Sequence, residues 1–84
     1  MPHAQDPPPD WLTAWRREVG DRIRQQRRDA GLTQEQLAGL IYVERRTIHR
    51  IEAGTVSPPL DRILQIAYAL GIEPAALLPG GPEE

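Results

Sequence analysis

The sequence predicts an all-α domain built from four to five short helices, and three features carry that prediction. Apolar residues recur at spacings of three and four, as in Trp11, Trp15, Val19 and Ile23, in Leu37, Leu40 and Ile41, and in Ile48 and Ile51; this is the period of an α-helix packed on one side. A helix-start signature stands at Thr33, whose hydroxyl can accept from a backbone N–H while Gln36 reaches back to the Thr33 amide. Glycines at 31, 54 and 71 fall where the apolar patterns stop, as expected of helix ends.

Met1 to Pro9 contains four prolines and no basic residue, so residues 1–9 are predicted to be a disordered or extended leader. Asp10 follows as a candidate N-cap for the first helix, which carries the tryptophan-bearing stripe with Leu12 beside it. This helix runs either unbroken to Ala30 or with a bend at Gly20. The tryptophans have two readings: they cover the domain's own core, or they pack against another subunit. The first is preferred, and the second stays open.

The centre of the chain is the run Leu32 to Gly54, LTQEQLAGLIYVERRTIHRIEAG. It reads as two short helices joined by a tight turn. In the first, Leu37, Leu40 and Ile41 form an apolar face and Ala38 allows close approach of a neighbour. In the second, the phase from about Glu44 places Ile48 and Ile51 on one side and Arg46, His49 and Arg50 on the other, with Arg45 and Thr47 flanking. An inward apolar stripe therefore backs an outward cationic one. In the turn, Tyr42 is strained by about 1 kcal/mol if its backbone is left-handed.

Beyond Gly54, Ser57 is a candidate cap for a fourth helix, with a proline in its first turn. Leu60, Ile63, Leu64, Ala67 and Leu70 give its predicted apolar face. Ile72 to Leu78 adds a short last helix with Pro74 in its first turn. Residues 10–78 thus form one domain, and 79–84 a flexible tail.

Composition narrows the function classes. Eighty-four residues suit one small domain with a thin core, which association with a second copy would help. No cysteine is present, so neither disulfides nor a thiolate metal site staples the fold. His3 in the leader has no second histidine and no cysteine nearby to complete a metal site, so no metal and no cofactor is expected. No segment approaches the ~20 apolar residues of a membrane span, and no signal-peptide layout precedes the domain; a cytoplasmic location is expected. The net charge is −2, but residues 16–50 hold nine arginines against five acids, for +4, and the remainder holds one arginine against seven acids, for −6. The positive part contains most of the two-helix run, and positive potential on one face there would attract phosphates.

At L-T-Q-E-x-L-A followed by T-I-x-R-I-E-x-G, the chain resembles the phage-repressor and Cro-like helix-turn-helix family, also called the xenobiotic-response-element family, over about residues 19–78 with the motif at 33–52. The resemblance implies a compact repressor-like domain with an extra N-terminal helical extension at 10–18. It implies sequence-specific binding of double-stranded DNA by a homodimer, as a repressor or autoregulator on a near-palindromic operator, with half-sites about one helical turn, ~34 Å, apart. Thr33 and Gln34 would grip a phosphate, and Gln34 could also reach a base. Arg45, Arg46 and Arg50 would read bases, with guanine the favoured partner, and Thr47 and His49 would touch phosphate or a thymine methyl. Glu44 would either accept from a cytosine amino group or simply cap its helix. Arg27 and Glu52 match family positions that form a partly buried ion pair. The family often has glycine where Tyr42 stands and serine where Glu44 stands.

An enzyme is not expected: the chain carries no Ser/His/acid set, no carboxylate pair in a cleft and no phosphate-cradling glycine loop, and no small-molecule substrate is implied. The competing reading is a protein-interaction module, an antitoxin or adaptor that docks a partner protein through Trp11, Trp15 and Leu40.

Overall fold

The structure, a computed structural model, describes residues 9–80. It contains α1 (Asp10–Asp29), α2 (Gln34–Leu40), α3 (Arg45–Glu52), α4 (Leu60–Leu70) and a final 3-10 helix (Pro74–Leu77). The fold is all-α, with no strand among the described residues. The leader before Pro9 and the tail after Gly80 lie outside the described residues.

One core joins all five elements: Ile23 of α1, Leu37 and Ala38 of α2, Ile48 and Ile51 of α3, Ile63, Ile66 and Ala67 of α4, and Leu77, with Ile41 at the turn. Each large aliphatic side chain enclosed there contributes roughly 1.5–3 kcal/mol. α3 lies at the centre, packed chiefly on α2 and α1. Its outer face is left to solvent because only Ile48, Ile51 and Glu52 turn inward.

α1 runs unbroken through Gly20. That glycine serves a contact rather than a bend, since a Cβ there would stand 2.5 Å from the Glu52 carbonyl oxygen and 2.6 Å from that of Ile51. The end of α3 therefore rests directly on the α1 backbone. Asp10 is the first helical residue and not the cap; extended Pro9 precedes it, and the Pro9 carbonyl accepts from Leu12 N at 3.0 Å and Thr13 N at 3.2 Å. A carboxylate in the first turn still suits the positive end of the helix dipole.

Two further sequence expectations are corrected by the packing. Ser57 does not cap α4: Pro59 takes that place, and Leu60 opens the helix. The α4 face that enters the core is Ile63, Ile66 and Ala67, while Leu60 and Leu64 stay exposed. With apolar residues on more than half the circumference of α4, the period alone does not choose which stripe turns inward. Leu40 likewise remains exposed at the end of α2.

In the middle of α1, Val19 packs on the core. The tryptophans do not close over it: Trp11 is 59% and Trp15 50% exposed. Their rings meet edge to face, with centroids 5.6 Å apart. Trp15, Leu12, Val19, Ile63 and Leu78 line an open groove of about 300 Å³ there.

Candidate nucleic-acid interface

The two motif helices are held by local chemistry at each end. At the start of α2, Gln36 N donates to Thr33 Oγ1 at 3.1 Å and Thr33 N donates to Gln36 Oε1 at 2.8 Å, the reciprocal box that satisfies two otherwise free amides. At its end, Val43 N donates to the Ala38 carbonyl at 3.0 Å across Tyr42. That closure places Tyr42 at φ 60, the one non-glycine residue with positive φ among those described. A left-handed conformation costs a side-chain-bearing residue about 1 kcal/mol, and the ring of Tyr42 recovers little by packing, since it is almost fully exposed. The reversal brings α3 back across α2 with Arg45, Arg46, His49 and Arg50 exposed and Thr47 half-buried.

Behind this exposed stripe lies a buried polar cluster. Arg27 Nε donates to Glu52 Oε2 at 2.6 Å and Arg27 Nη2 to Glu52 Oε1 at 3.0 Å, so the pair is bidentate. A third donor, Arg27 Nη1, reaches the Leu32 carbonyl at 2.7 Å. One guanidinium thereby ties α1 to the end of α3 and to the loop entering α2. Burial opposes ionisation of Glu52, but hydrogen bonds from Arg27 and Gln34 and the charges of Arg27 and Arg24 outweigh it, holding the carboxyl below its ordinary value. The hydrogen bond to Glu52 raises Arg27 in turn, against a smaller effect of desolvation.

The exposed residues are also paired. Glu44 stands at the N-cap of α3, yet its side chain makes no capping bond. Its carboxylate instead accepts from Arg46 Nε at 2.8 Å. Gln34 sits between the surface and the interior: its Nε2 donates to Glu52 Oε1 at 3.1 Å, and its Oε1 accepts from Arg45 Nη1 at 3.3 Å. Thr33, Gln34, Arg45 and Arg46 therefore gather at the junction of the α2 and α3 N-termini, whereas His49 and Arg50 lie about a turn farther along α3.

Arg24 belongs to the same cluster, although the sequence pattern alone assigned it no role. Arg24 Nη2 donates to the Glu52 carbonyl at 3.1 Å, and its Nε lies 3.6 Å from Glu52 Oε1. Arg24 and Arg27 are three apart on one helix and so share a face; that spacing, set beside a buried acid, was the signal. A cation against the last carbonyls of α3 also suits the negative end of that helix. Among the described residues no group of three or more His, Cys, Asp or Glu side chains could hold a metal ion, and no helix is long and apolar enough to cross a membrane.

Two helices crossing through a tight turn, the second presenting a cationic outer stripe over a buried inner one, define the helix-turn-helix class of DNA-binding proteins. Residues 18–79 match the family model described as "Helix-turn-helix domain". An uncharacterised HTH-type transcriptional regulator of Methanothermobacter thermautotrophicus is 49% identical over 51 residues, covering 61% of this chain and 74% of that protein. The restriction-modification controller protein C.AhdI of Aeromonas hydrophila has a solved structure that superposes with a TM-score of 0.73 at 38% identity, over 75% of this chain and 96% of that one. A hypothetical transcription factor, NHTF, from Neisseria gives 0.75 at 25% identity, over 94% of this chain and 87% of that one. The chain belongs to the helix-turn-helix family of DNA-binding transcriptional regulators, with the xenobiotic-response-element pattern at its motif. Residues 10–17 of α1 lie outside the matched family region.

Proposed function

We propose that the chain is a sequence-specific regulator, a repressor or autoregulator, that binds a near-palindromic operator as a homodimer, each copy laying α3 in the major groove. The observation that carries this reading is the two-faced character of α3: Ile48 and Ile51 are buried while Arg45, Arg46, His49 and Arg50 on the opposite side are exposed. Arg45, Arg46 and Arg50 read base edges, each good bidentate contact contributing ~1–3 kcal/mol of discrimination. Thr33 and Gln34 face the backbone, Thr47 and His49 flank the readers, and Glu44 adds a carboxylate that accepts from a cytosine amino group once Arg46 turns to the DNA. The protein acts by binding and not by catalysis, in the cytoplasm where its DNA lies.

The homodimer is supported by a stripe of Leu60, Leu64 and Tyr68, exposed at successive turns of α4, with Tyr68 sharing an open groove with exposed Leu40 and Tyr42. Two copies related by a two-fold axis would cover it and set half-sites about one turn of DNA apart. Selection of bound duplexes from a random pool tests the reading. Recovery of a two-fold-symmetric site with at least one guanine per half is expected; a pool that stays random after successive rounds would reject it.

The exposed tryptophan pair favours a second reading, an antitoxin or adaptor that docks a partner protein at that end. Binding to random duplex as a function of salt separates the two. A DNA reader binds with a steep salt slope, and a pure adaptor scarcely binds.

A further inference from the structure

The groove beside Trp15 has one wall that the matched family region does not include. Leu12, Trp15 and Arg16 belong to residues 10–17 of α1, and Val19, Ile63 and Leu78 of the domain proper complete the groove. None of the lining residues belongs to α2 or α3, and none is acidic. Trp11, edge to face on Trp15, continues the exposed apolar surface beyond it.

In this apolar setting Arg16 stands out. Its Nε is buried yet has no hydrogen-bond partner, the one such side-chain atom among the described residues. Arg16 also takes part in none of their ion pairs. A buried donor without an acceptor costs free energy, which an acceptor brought in by a partner relieves. The Nε and adjacent Nη of a guanidinium form a planar fork that fits the two oxygens of a carboxylate. Tryptophan and arginine are also residue types that anchor protein interfaces. At about 300 Å³ the groove stands at the small end of ligand sites, enough for the apolar side chains of a short segment.

We infer that this end of the molecule docks a peptide segment of a partner protein in which a carboxylate adjoins a large apolar side chain. The carboxylate meets Arg16, and the apolar group lies against Leu12 and Trp15. The inference rests on the docking reading of the tryptophan end and gives it a partner chemistry. Because α2 and α3 contribute nothing to the groove, docking leaves the cationic stripe of α3 free, and partner and duplex bind together.

The probe is a displayed library of random short peptides, selected on the full chain. A synthetic peptide of the enriched sequence is then titrated while tryptophan emission is followed, Trp11 and Trp15 being the two tryptophans of the chain. Enriched sequences are expected to share an acidic residue next to a large apolar one, and binding to shift the emission. Arg16→Met is expected to weaken binding on the order of tenfold, as is replacing the peptide's acid by its amide, with no further loss when the two are combined. Arg16→Met is also expected to melt at or above the wild type and to bind duplex as the wild type does.

Enriched peptides without an acid, or full affinity in Arg16→Met, would overturn the carboxylate contact while leaving the docking reading in place. No enrichment at all would remove both. A lower melt for Arg16→Met would show its guanidinium already satisfied within the fold and would overturn the inference. So would displacement of the peptide by random duplex, which places it on α3. Tryptophan emission that moves with protein concentration, or on deletion of residues 81–84, would give the groove to a second copy or to the chain's own tail, and would overturn it as well.

Discussion

Two arginine–carboxylate pairs flank the recognition helix, and they differ in one respect. Arg27 and Glu52 meet at 2.6 Å with side chains 9% and 0% exposed, whereas Arg46 and Glu44 meet at 2.8 Å with side chains 69% and 72% exposed. At nearly equal distance, burial decides what each pair does. In the interior, two charges without water hold one geometry, and neither can leave without stranding the other. At the surface, water and salt compete for both, so the pair contributes little to stability and Arg46 is free to exchange its carboxylate for another partner, as the proposed base reading requires. The first pair is architecture and the second is a displaceable contact on the exposed face of α3.

The sharpest way to break this contrast is to remove one partner of the buried pair. Arg27→Ala is expected to lower stability by ~3–5 kcal/mol, read as a large fall in thermal midpoint; an unshifted melt would place Glu52 in effective contact with water. The same pair has a pH signature. Because the Glu52 carboxyl is lower in the folded protein than its ordinary value of 4.5, the unfolded chain takes up the proton first as pH falls. The stabilisation is therefore fully present above about pH 4.5 and is lost as pH drops through the lowered folded value. Wild type minus Glu52→Gln, melted across pH 3 to 7, is expected to show a difference that shrinks on the acid side. A pH-independent difference would contradict the ionised pair.

Gly20 sharpens the contrast from the backbone side, since it lets the end of α3 approach α1 and close the pocket around Glu52. Gly20→Ala is expected to cost about 1–3 kcal/mol by overpacking against the Ile51 and Glu52 carbonyls. Gly39, with nothing within 4 Å of a built Cβ, is the control, and Gly39→Ala should leave the melt unchanged or slightly raised. Equal effects at the two glycines would deny the close approach. The smallest effect is expected at the surface pair: Glu44→Gln should move stability by less than about 1 kcal/mol. It should strengthen binding to random duplex, because a carboxylate beside phosphates is removed. Unchanged binding would show that Glu44 does not face the DNA.

Much of the fold was legible because caps and spacing agree along the chain. Thr33 and Gln36 mark the start of α2, the phase of Ile48 and Ile51 fixes which side of α3 faces outward, and Gly71 marks the end of α4. The misread elements have a common physical cause. On α4, Leu60, Ile63, Leu64, Ile66, Ala67 and Leu70 spread around the helix, and only the packing of three neighbours selects Ile63, Ile66 and Ala67. Gly20 left a bend open as an alternative because the residue that needs its missing side chain lies 32 positions away. In the candidate site, residue types and their outward phase were readable, but the partners of Arg24, Gln34 and Glu44 were not. Those depend on how α1, α2 and α3 cross, which no local pattern encodes.

In the proposed mode of binding, Arg46 and Arg50 project outward from α3 to recognise DNA without supporting the fold. The direct measurement is the ratio of affinities for the selected duplex and for random duplex at fixed salt, with thermal melts in parallel, for the wild type, Arg46→Ala and Arg50→Ala. Each variant is expected to lose on the order of tenfold or more of that ratio while melting within a few degrees of the wild type. Folded variants that keep the full ratio, or variants that unfold before their binding can be measured, would contradict that assignment of the two faces of α3.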